Sequence, residues 1–214
     1  PVWSIRLDPV DPDILYVGIG VNLYRSLDGG ESWLLDTELD GGHFMSVYIS
    51  PLAPTAVFAG LGDGVYRRSD GAITTVGATE AGAISFTDAQ GAVVTADIPA
   101  GAVAHTTTFY LYDAESLSNT PTGVPYVGSV FLLNAFQDGL KVDGFVPLLP
   151  ITVTMHYTAT SGIDEATLLL YTLSAGQWVD AATTCTPVSA YNRRPDENWL
   201  EVPICHLSEF ALLG

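Results

Sequence analysis

The chain is a succession of short apolar runs separated by Pro, Gly and Asp, and this pattern predicts β-strands joined by tight turns. Early examples are ILYVGIG at residues 14–20 and AVFAGLG at residues 56–62. From residue 84 onward the same texture continues through seven or eight strand candidates, and helix has little support there. We therefore predict an all-β protein.

Residues 1–76 contain an internal repeat, whose two copies align at a constant offset of 42 residues, from Ser4 to Ser46. A repeat of about 40 to 45 residues with several strands per copy is typical of β-propeller blades. We predict two blades here and, since a propeller closes with about four to eight blades, further blades upstream of this chain. The offset superimposes identical residues in the pairs Pro9 and Pro51, Pro12 and Pro54, Gly18 and Gly60, Gly20 and Gly62, Tyr24 and Tyr66, and Asp28 and Asp70.

One turn of the first copy carries a motif. The segment SLDGGESW, residues 26–33, resembles the Asp-box of bacterial neuraminidase-type repeats, Ser-x-Asp-x-Gly-x-Thr-Trp. The motif has a structural role, because Asp28 can accept hydrogen bonds from backbone N–H groups and Gly29 and Gly30 can adopt positive φ. We expect Trp33 to pack between sheets. The resemblance implies a propeller rather than a reaction, and its positions are Ser26, Asp28, Gly30, Ser32 and Trp33, with Asp70 as the remnant in the second copy.

Residues 80–214 form the second predicted domain. Ala, Gly and Thr around residues 72–83 suggest a linker before it. The turn spacing of the strand candidates favours an antiparallel β-sandwich. The candidates are AVVTADIPAGAV (92–103), TTTFYLYDA (106–114), YVGSVFLLNAF (126–136), ITVTMHYTA (151–159), TLLLYTL (167–173), QWVDAATTC (177–185) and WLEVPICHLSEFALLG (199–214).

Several segments of this domain together resemble a module found at the C-terminal end of large secreted proteins of Chloroflexi-type bacteria. IPAGA, residues 98–102, is also similar to part of the ZU-type domain of ankyrins and netrin receptors. The last segment resembles the proteolysis site of the GAIN domains of adhesion receptors, although those receptors carry two disulfides. The matching segments are Thr95–Val103, Tyr157, Gly162–Tyr171, Gly176–Asp180 and Val202–Leu212.

The GAIN resemblance implies self-cleavage, with His206 as general base, Ser208 as nucleophile and Leu207–Ser208 as the scissile peptide. The hydroxyl would attack the preceding carbonyl and convert the amide into an ester, which water then hydrolyses. A strained turn is required, because a flat strand keeps the peptide planar and inert. The alternative is that HLSEFALLG is a half-buried last strand, with Ser208 and Phe210 on one side.

Cys185 and Cys205 are the two cysteines of the chain, and they flank the polar segment NRRPDEN (192–198), which is typical of a hairpin tip. A disulfide is the simplest interpretation and implies an oxidising compartment. A zinc site is the alternative, but the C-x-x-C or H-x-H spacing of such sites is missing. We predict no metal and no cofactor.

The chain is strongly acidic, with a formal net charge of −17, and Lys141 is its only lysine. Repulsion from phosphate backbones excludes nucleic acid as a partner. No apolar run approaches the roughly 18 to 20 residues of a membrane helix, so we expect no membrane span in this chain. Because the chain starts at Pro1, we interpret it as a fragment.

The other polar candidates are interpreted as structural. Asp164 and Glu165 are expected to cap a turn before a strand rather than form a catalytic pair. Asp8, Asp11 and Asp13 are expected in a solvated turn, with calcium binding as the alternative. Structural or surface roles are predicted for His43, His105 and His156, and surface or sheet-edge positions are predicted for Arg6, Arg25, Arg67 and Arg68.

These patterns together predict a non-catalytic recognition and spacer region of a larger secreted or cell-surface protein, whose loops contact an extracellular protein or a glycan. The first alternative is an autoproteolytic module acting through His206 and Ser208. The second is a fragment of a carbohydrate-active, sialidase-like enzyme whose catalytic residues lie outside this chain.

Overall fold

The computed structural model describes residues 2–9, 11–38, 42–50, 53–69, 71–88, 91–113, 126–138, 140–158, 164–174 and 176–214. Within these ranges the chain is all-β, as predicted, with antiparallel sheets and no helix of seven or more residues. None of the described helices is long and apolar enough to span a membrane. The chain divides into two compact units, residues 1–69 and 70–214. Asp70 and Gly162 of the predicted motifs lie outside the described residues.

The first unit begins with a four-stranded antiparallel sheet whose strands neighbour one another in chain order. Short apolar alternations form the strands and Asp, Pro and Gly form the connections, which is the division that β-propensity favours. Its strands are β1 (Val2–Leu7), β2 (Leu15–Ile19), β3 (Asn22–Ser26) and β4 (Leu34–Glu38).

A second antiparallel sheet follows, made of β5 (Phe44–Ser50), β6 (Ala53–Leu61) and β7 (Gly64–Ser69). Adding the repeat offset of 42 to β1 and β3 gives residues 44–49 and 64–68, which lie within β5 and β7. The two sheets meet through β1, β2 and β5. The ring of Phe44 lies against Gly18, where a Cβ atom would come within 2.5 Å of Phe44 Cδ1. The Val47 N–H donates to Ser4 Oγ at 3.1 Å.

The second unit contains two larger antiparallel sheets. A five-stranded sheet has the order β17-β18-β14-β10-β9, and a seven-stranded sheet has the order β16-β15-β19-β12-β11-β8, with β13 paired to β12. The strands are β8 (Gly71–Val76), β9 (Gly82–Thr87), β10 (Val93–Ile98), β11 (Thr107–Asp113), β12 (Tyr126–Gln137), β13 (Leu140–Lys141), β14 (Ile151–His156), β15 (Leu169–Ser174), β16 (Gln177–Asp180), β17 (Asn192–Arg194), β18 (Trp199–Ile204) and β19 (Glu209–Leu213).

An apolar core contributed by both sheets confirms a β-sandwich-like fold for the second unit. Alternate residues of β14 are fully buried and the residues between them are not, as expected for a strand with one face on the core. Phe131 of β12 and Phe210 of β19 stack with ring centroids 5.2 Å apart. Burial of each such side chain stabilises the fold by about 1.5–3 kcal/mol.

The predicted linker at residues 72–83 is occupied by strands. β8 pairs with β11, and β9 pairs with β10. Val76 is buried in the core, and Gly71 lies so close to β11 that a Cβ atom would come within 2.5 Å of Leu111 O. The small residues of this segment thus serve close strand packing, and residues 71–76 belong to the second unit rather than to the predicted first domain.

Candidate functional site

The Ser26–Trp33 turn joins β3 to β4 and is held by its own side chains. Asp28 accepts hydrogen bonds from the Ser32 N–H at 2.9 Å, from the Ser32 hydroxyl at 2.5 Å and from the Ser26 hydroxyl at 2.7 Å. The Gly30 N–H donates to Ser26 Oγ at 2.8 Å. Gly29 and Gly30 have φ values of 70° and 98°, in the left-handed region. Led by the two bonds from Ser32, these contacts lower the pKa of Asp28 to about 2.

Trp33 was expected to pack between sheets, and this prediction is wrong. Its side chain is 37% exposed. The indole N–H donates to Gly30 O at 3.1 Å, so the ring folds back over the turn instead of entering the core. The polar groups of the turn, including the indole N–H, therefore form hydrogen bonds within the turn and stabilise its conformation.

The aspartates between β1 and β2 were expected in a solvated turn, but Asp8 and Asp11 are buried. Asp8 accepts the Asp11 N–H at 3.0 Å, and Asp11 accepts the Asp13 N–H at 3.1 Å. Their burial is compensated by these bonds, which shape the connection. Across the described residues, no group of three or more His, Cys, Asp or Glu side chains is placed to hold a metal ion.

Arg25 was expected at the surface, and this prediction is also wrong. Its side chain is buried, with Nε 3.4 Å from Oδ1 of Asp36 on β4, which is buried as well. A buried guanidinium is costly unless it is paired, so the ion pair with Asp36 explains how Arg25 is accommodated inside the sheet. Arg6 is exposed as expected, whereas the side chains of Arg67 and Arg68 lie outside the described part of the structure.

Cys185 and Cys205 form a disulfide, as predicted. The segment between them is a hairpin, because β17 pairs with β18 across a turn at residues 195–198. Asn198 ends that turn with a left-handed backbone, φ 51°. The bond thereby ties the short helix Ala181–Thr184 to the end of β18, next to His206.

His206, Leu207 and Ser208 lie in the connection between β18 of the five-stranded sheet and β19 of the seven-stranded sheet. The last strand begins only at Glu209, and all five of its residues are buried. The expected half-buried strand starting at His206 is therefore wrong in both respects. The physical reason is position: β19 lies between β12 and β15, inside the sheet rather than at its edge.

The backbone of this connection is anchored on both sides. The Leu207 N–H donates to Phe145 O at 3.2 Å, and the Leu133 N–H donates to Ser208 O at 3.0 Å. The non-glycine residues with left-handed backbone in the described ranges are Asp138 and Asn198, and neither belongs to this connection. The chain thus passes from β18 to β19 through Leu207 and Ser208 without a residue in the left-handed conformation.

His206 is half-buried, and desolvation lowers its pKa below the ordinary value of 6.5. Its Nδ1 atom is buried without a hydrogen-bond partner among the described residues. The imidazole is therefore neutral at neutral pH, which is the protonation state of a general base. Among the described residues no hydrogen bond joins His206 to Ser208, although only Leu207 separates them in the sequence.

A cluster around Tyr191 was not anticipated from the sequence. The Tyr191 hydroxyl lies 2.6 Å from Asp180 Oδ1 and accepts the Leu170 N–H at 3.1 Å. Arg193 donates twice to Leu168 O, at 3.1 and 3.0 Å, and its guanidinium stacks 4.3 Å from the Tyr191 ring centroid. Burial, reinforced by the bond to Asp180, raises the pKa of Tyr191. The cluster fastens the hairpin to β15.

Asp164 caps a turn before β15, as predicted, by accepting the Ala166 N–H at 3.1 Å. Glu165 accepts a hydrogen bond from the Tyr157 hydroxyl at 3.0 Å. Desolvation and this carboxylate raise the pKa of Tyr157 to about 12. The two carboxylates therefore accept hydrogen bonds from separate partners, Ala166 and Tyr157.

An open cleft of about 550 Å³ lies in the second unit beside the end of β12. His105 is exposed there, and Gln137 Nε2 donates to Thr107 Oγ1 at 3.0 Å. His43 and His156 are exposed elsewhere, as predicted. The cleft is lined by Ala78, Ala104, His105, Thr106, Gln137 and Asp138.

Comparison with models of known protein families gave no match, and comparison with curated protein sequences gave none either.

Proposed function

We propose that this chain is a non-catalytic recognition and structural region of a larger extracellular or cell-surface protein. One observation carries the proposal: the aspartates of three of the recognised sequence motifs are engaged in shaping their own turns. Asp28, Asp164 and Asp180 each accept a backbone N–H within four residues of their own position. The Cys185–Cys205 disulfide supports an oxidising compartment.

For the first unit the proposal specifies propeller-type blades. Three observations support it: a four-stranded meander in chain order, a copy of three of its strands at an offset of 42 residues, and a glycine-rich turn between β3 and β4. Blades of four antiparallel strands are the unit of propellers. For the second unit the proposal specifies a module of the ZU/GAIN-like type, supported by two packed sheets that share one core.

Self-cleavage is the second candidate function, and the place of Leu207–Ser208 in the chain favours it. The peptide lies in a connection between sheets, beside a histidine that burial keeps neutral. Ser208 Oγ would attack the Leu207 carbonyl carbon while His206 takes the hydroxyl proton. The proton then passes to the departing Ser208 amine, and water hydrolyses the resulting ester to a Leu207 carboxylate and a free Ser208 hydroxyl.

Denaturing intact-mass spectrometry separates the two functions. We expect the full-length mass, lower than that of the reduced chain by two hydrogen atoms. A mass truncated after Leu207, and restored to full length by Ser208→Ala, would replace the non-catalytic function with self-cleavage. Ser189→Ala is the matched control, because Ser189 lies in the same unit outside this connection. Denaturation is essential, since β19 would stay hydrogen-bonded in the sheet after a cut.

A further inference from the structure

Three connections of the second unit meet at one end of its sandwich, and they follow β8, β10 and β13. The Leu148 N–H donates to Ala102 O at 2.8 Å. The Gly101 N–H donates to Ala78 O at 3.0 Å, so each connection is hydrogen-bonded to the next. All of these residues belong to the second unit. Loops that a rigid scaffold groups at one end are a usual place for a binding surface.

The cleft of about 550 Å³ opens at this end, between Ala78, Ala104 and the end of β12. Asp138 supplies the carboxylate of its lining, and no Lys or Arg belongs to that lining among the described residues. The Asp138 side chain is exposed, and no hydrogen bond or ion pair within the described ranges engages its carboxylate. The cleft therefore offers a negative group that is available to a ligand.

This lining suits a guanidinium group. A planar guanidinium bonds a carboxylate through two parallel N–H groups, and its other N–H groups need further acceptors. The hydroxyl of Thr106 and the amide oxygen of Gln137 are such acceptors in the same lining. Gln137 donates through Nε2 to Thr107 Oγ1 at 3.0 Å, and this bond does not use its amide oxygen. Glu80, in the turn that contains Ala78, adds a second negative charge nearby.

Exposed apolar side chains lie beside the cleft. Leu148 and Leu149 are 66% and 44% exposed. A Cβ atom on Gly101 would lie 3.5 Å from Leu149 Cδ1, and the Gly101 N–H bonds Ala78 O at the cleft, so a single turn separates the leucines from the cleft. Four of the five exposed large apolar residues in the described part of the second unit fall within residues 140–149. The five are Leu140, Val146, Leu148, Leu149 and Val188.

We propose that this end of the second unit binds an extended segment of a partner protein. An Arg side chain of the segment occupies the cleft against Asp138, and apolar side chains of the segment cover Leu148 and Leu149. Every second residue of an extended segment points the same way, about 7 Å further along, so Arg followed at alternate positions by Leu reaches both parts of the surface. The inference rests on the proposed recognition function and names its class of partner.

The charge of the chain favours this occupant over a lipid surface. The formal net charge is −17, which attracts a basic segment before contact and steers its approach. The same charge repels an anionic membrane, so the exposed leucines are not suited to insertion into one. Binding of the Arg should therefore weaken as added salt screens the attraction, whereas the apolar contact should persist.

The test is fluorescence anisotropy of a labelled synthetic peptide, Arg-Ser-Leu-Ser-Leu, titrated with the full chain at near-physiological ionic strength. Micromolar binding is expected. Asp138→Asn should weaken it about tenfold, because charge-assisted hydrogen bonds are lost. Asn tolerates the left-handed backbone of this position, φ 51°, so the turn is kept. Asp196→Asn is the matched control, since it removes the same charge from an exposed turn before β18, at the opposite end of the five-stranded sheet.

The apolar half of the surface is tested separately. Leu148→Ser should weaken binding about fivefold, because part of a leucine side chain is no longer buried by the peptide. Val65→Ser is its control, since Val65 is an exposed apolar residue of the first unit and should bind like the wild type. A peptide with Glu in place of Arg should not bind. Circular dichroism of every variant establishes that it is folded.

Three results would overturn the inference. The first is a wild type that binds no peptide at millimolar concentration. The second is equal weakening by Asp138→Asn and Asp196→Asn, which indicates attraction to the overall charge rather than to the cleft. The third is free arginine binding as tightly as the peptide, with Leu148→Ser unchanged, which indicates a site for a small cation. None of these results bears on the non-catalytic function, because the intact mass of the chain tests it independently.

Discussion

Asp28 is an acidic motif residue whose hydrogen bonds stabilise the fold. Its carboxylate is exposed at the tip of the Ser26–Trp33 turn, yet it receives hydrogen bonds from Ser26 and Ser32. Those bonds favour the charged form and hold the pKa near 2. Protonation of Asp28 should therefore weaken these hydrogen bonds and loosen the turn locally.

Replacement of Asp28 by Asn should make the stability of the first unit less dependent on pH in the acid range. Because the folded pKa of about 2 lies below the ordinary value of 3.8, the charged carboxylate stabilises the fold above pH 3.8. This contribution is lost as the pH falls through about 2. Calorimetry at decreasing pH should show wild type and Asp28→Asn converging in acid. Glu31→Gln removes the same charge from the same turn and should remain parallel to the wild type.

Residue placement was the least predictable level. Asp164 was correctly expected to cap a turn, because an Asx cap is a local contact within two residues. Arg25 was expected at the surface, since nothing nearby in the sequence reveals Asp36 on the next strand. Trp33 was expected to pack between sheets as part of the Asp-box, but its indole N–H donates to an acceptor inside the turn. Contacts between strands are what the sequence could not supply.

At the scale of elements, apolar alternation predicted the strands well, because period-two burial is a property of each strand by itself. The segment QWVD forms β16, where a strand was expected, whereas IPAGA contributes only Ile98 to β10 and continues as a turn. Residues 72–83 were misread as a linker because their Gly, Ala and Thr residues are typical of flexible connections. In the structure Gly71, just before this segment, permits a close approach between β8 and β11.

Gly71→Ala should destabilise the second unit. The new Cβ atom would lie 2.5 Å from Leu111 O and 2.6 Å from Tyr112 Cβ, so β8 must move away from β11. Overpacking of this kind costs about 1–3 kcal/mol. Chemical denaturation should report the loss in the unfolding transition of the second unit. Gly64→Ala, where a Cβ atom meets nothing within 4 Å, should change stability by less than about 0.5 kcal/mol. Equal effects of the two substitutions would contradict the close approach.

At the scale of the molecule, the chain is two compact units with unequal means of stabilisation. The second unit has the larger apolar core and the Cys185–Cys205 disulfide. The first unit has no cysteine and relies on turn hydrogen bonds and on the contact between its two sheets. The two units should therefore respond differently to reduction.

Reduction of the disulfide should lower the free energy of unfolding of the second unit alone. The bond spans 20 residues, and closing a loop of that length lowers the entropy of the unfolded chain, which stabilises the fold by about 3 kcal/mol. Differential scanning calorimetry with and without reductant should show one transition shifting downward and the other unchanged. The double variant Cys185→Ser/Cys205→Ser should match the reduced chain and ignore reductant. A shift of both transitions would show that the units do not unfold separately.

The central position of β19 in the seven-stranded sheet sets the order of events during synthesis. The ribosome makes β12 and β15 before it makes the strand that joins them. Until residues 209–213 have left the exit tunnel, both strands present unpaired edges, and Phe131 lacks the ring of Phe210 against it. The seven-stranded sheet is therefore completed only after residues 1–208 have been translated. Until then the nascent second unit is at its most prone to aggregation, because these strand edges are unpaired.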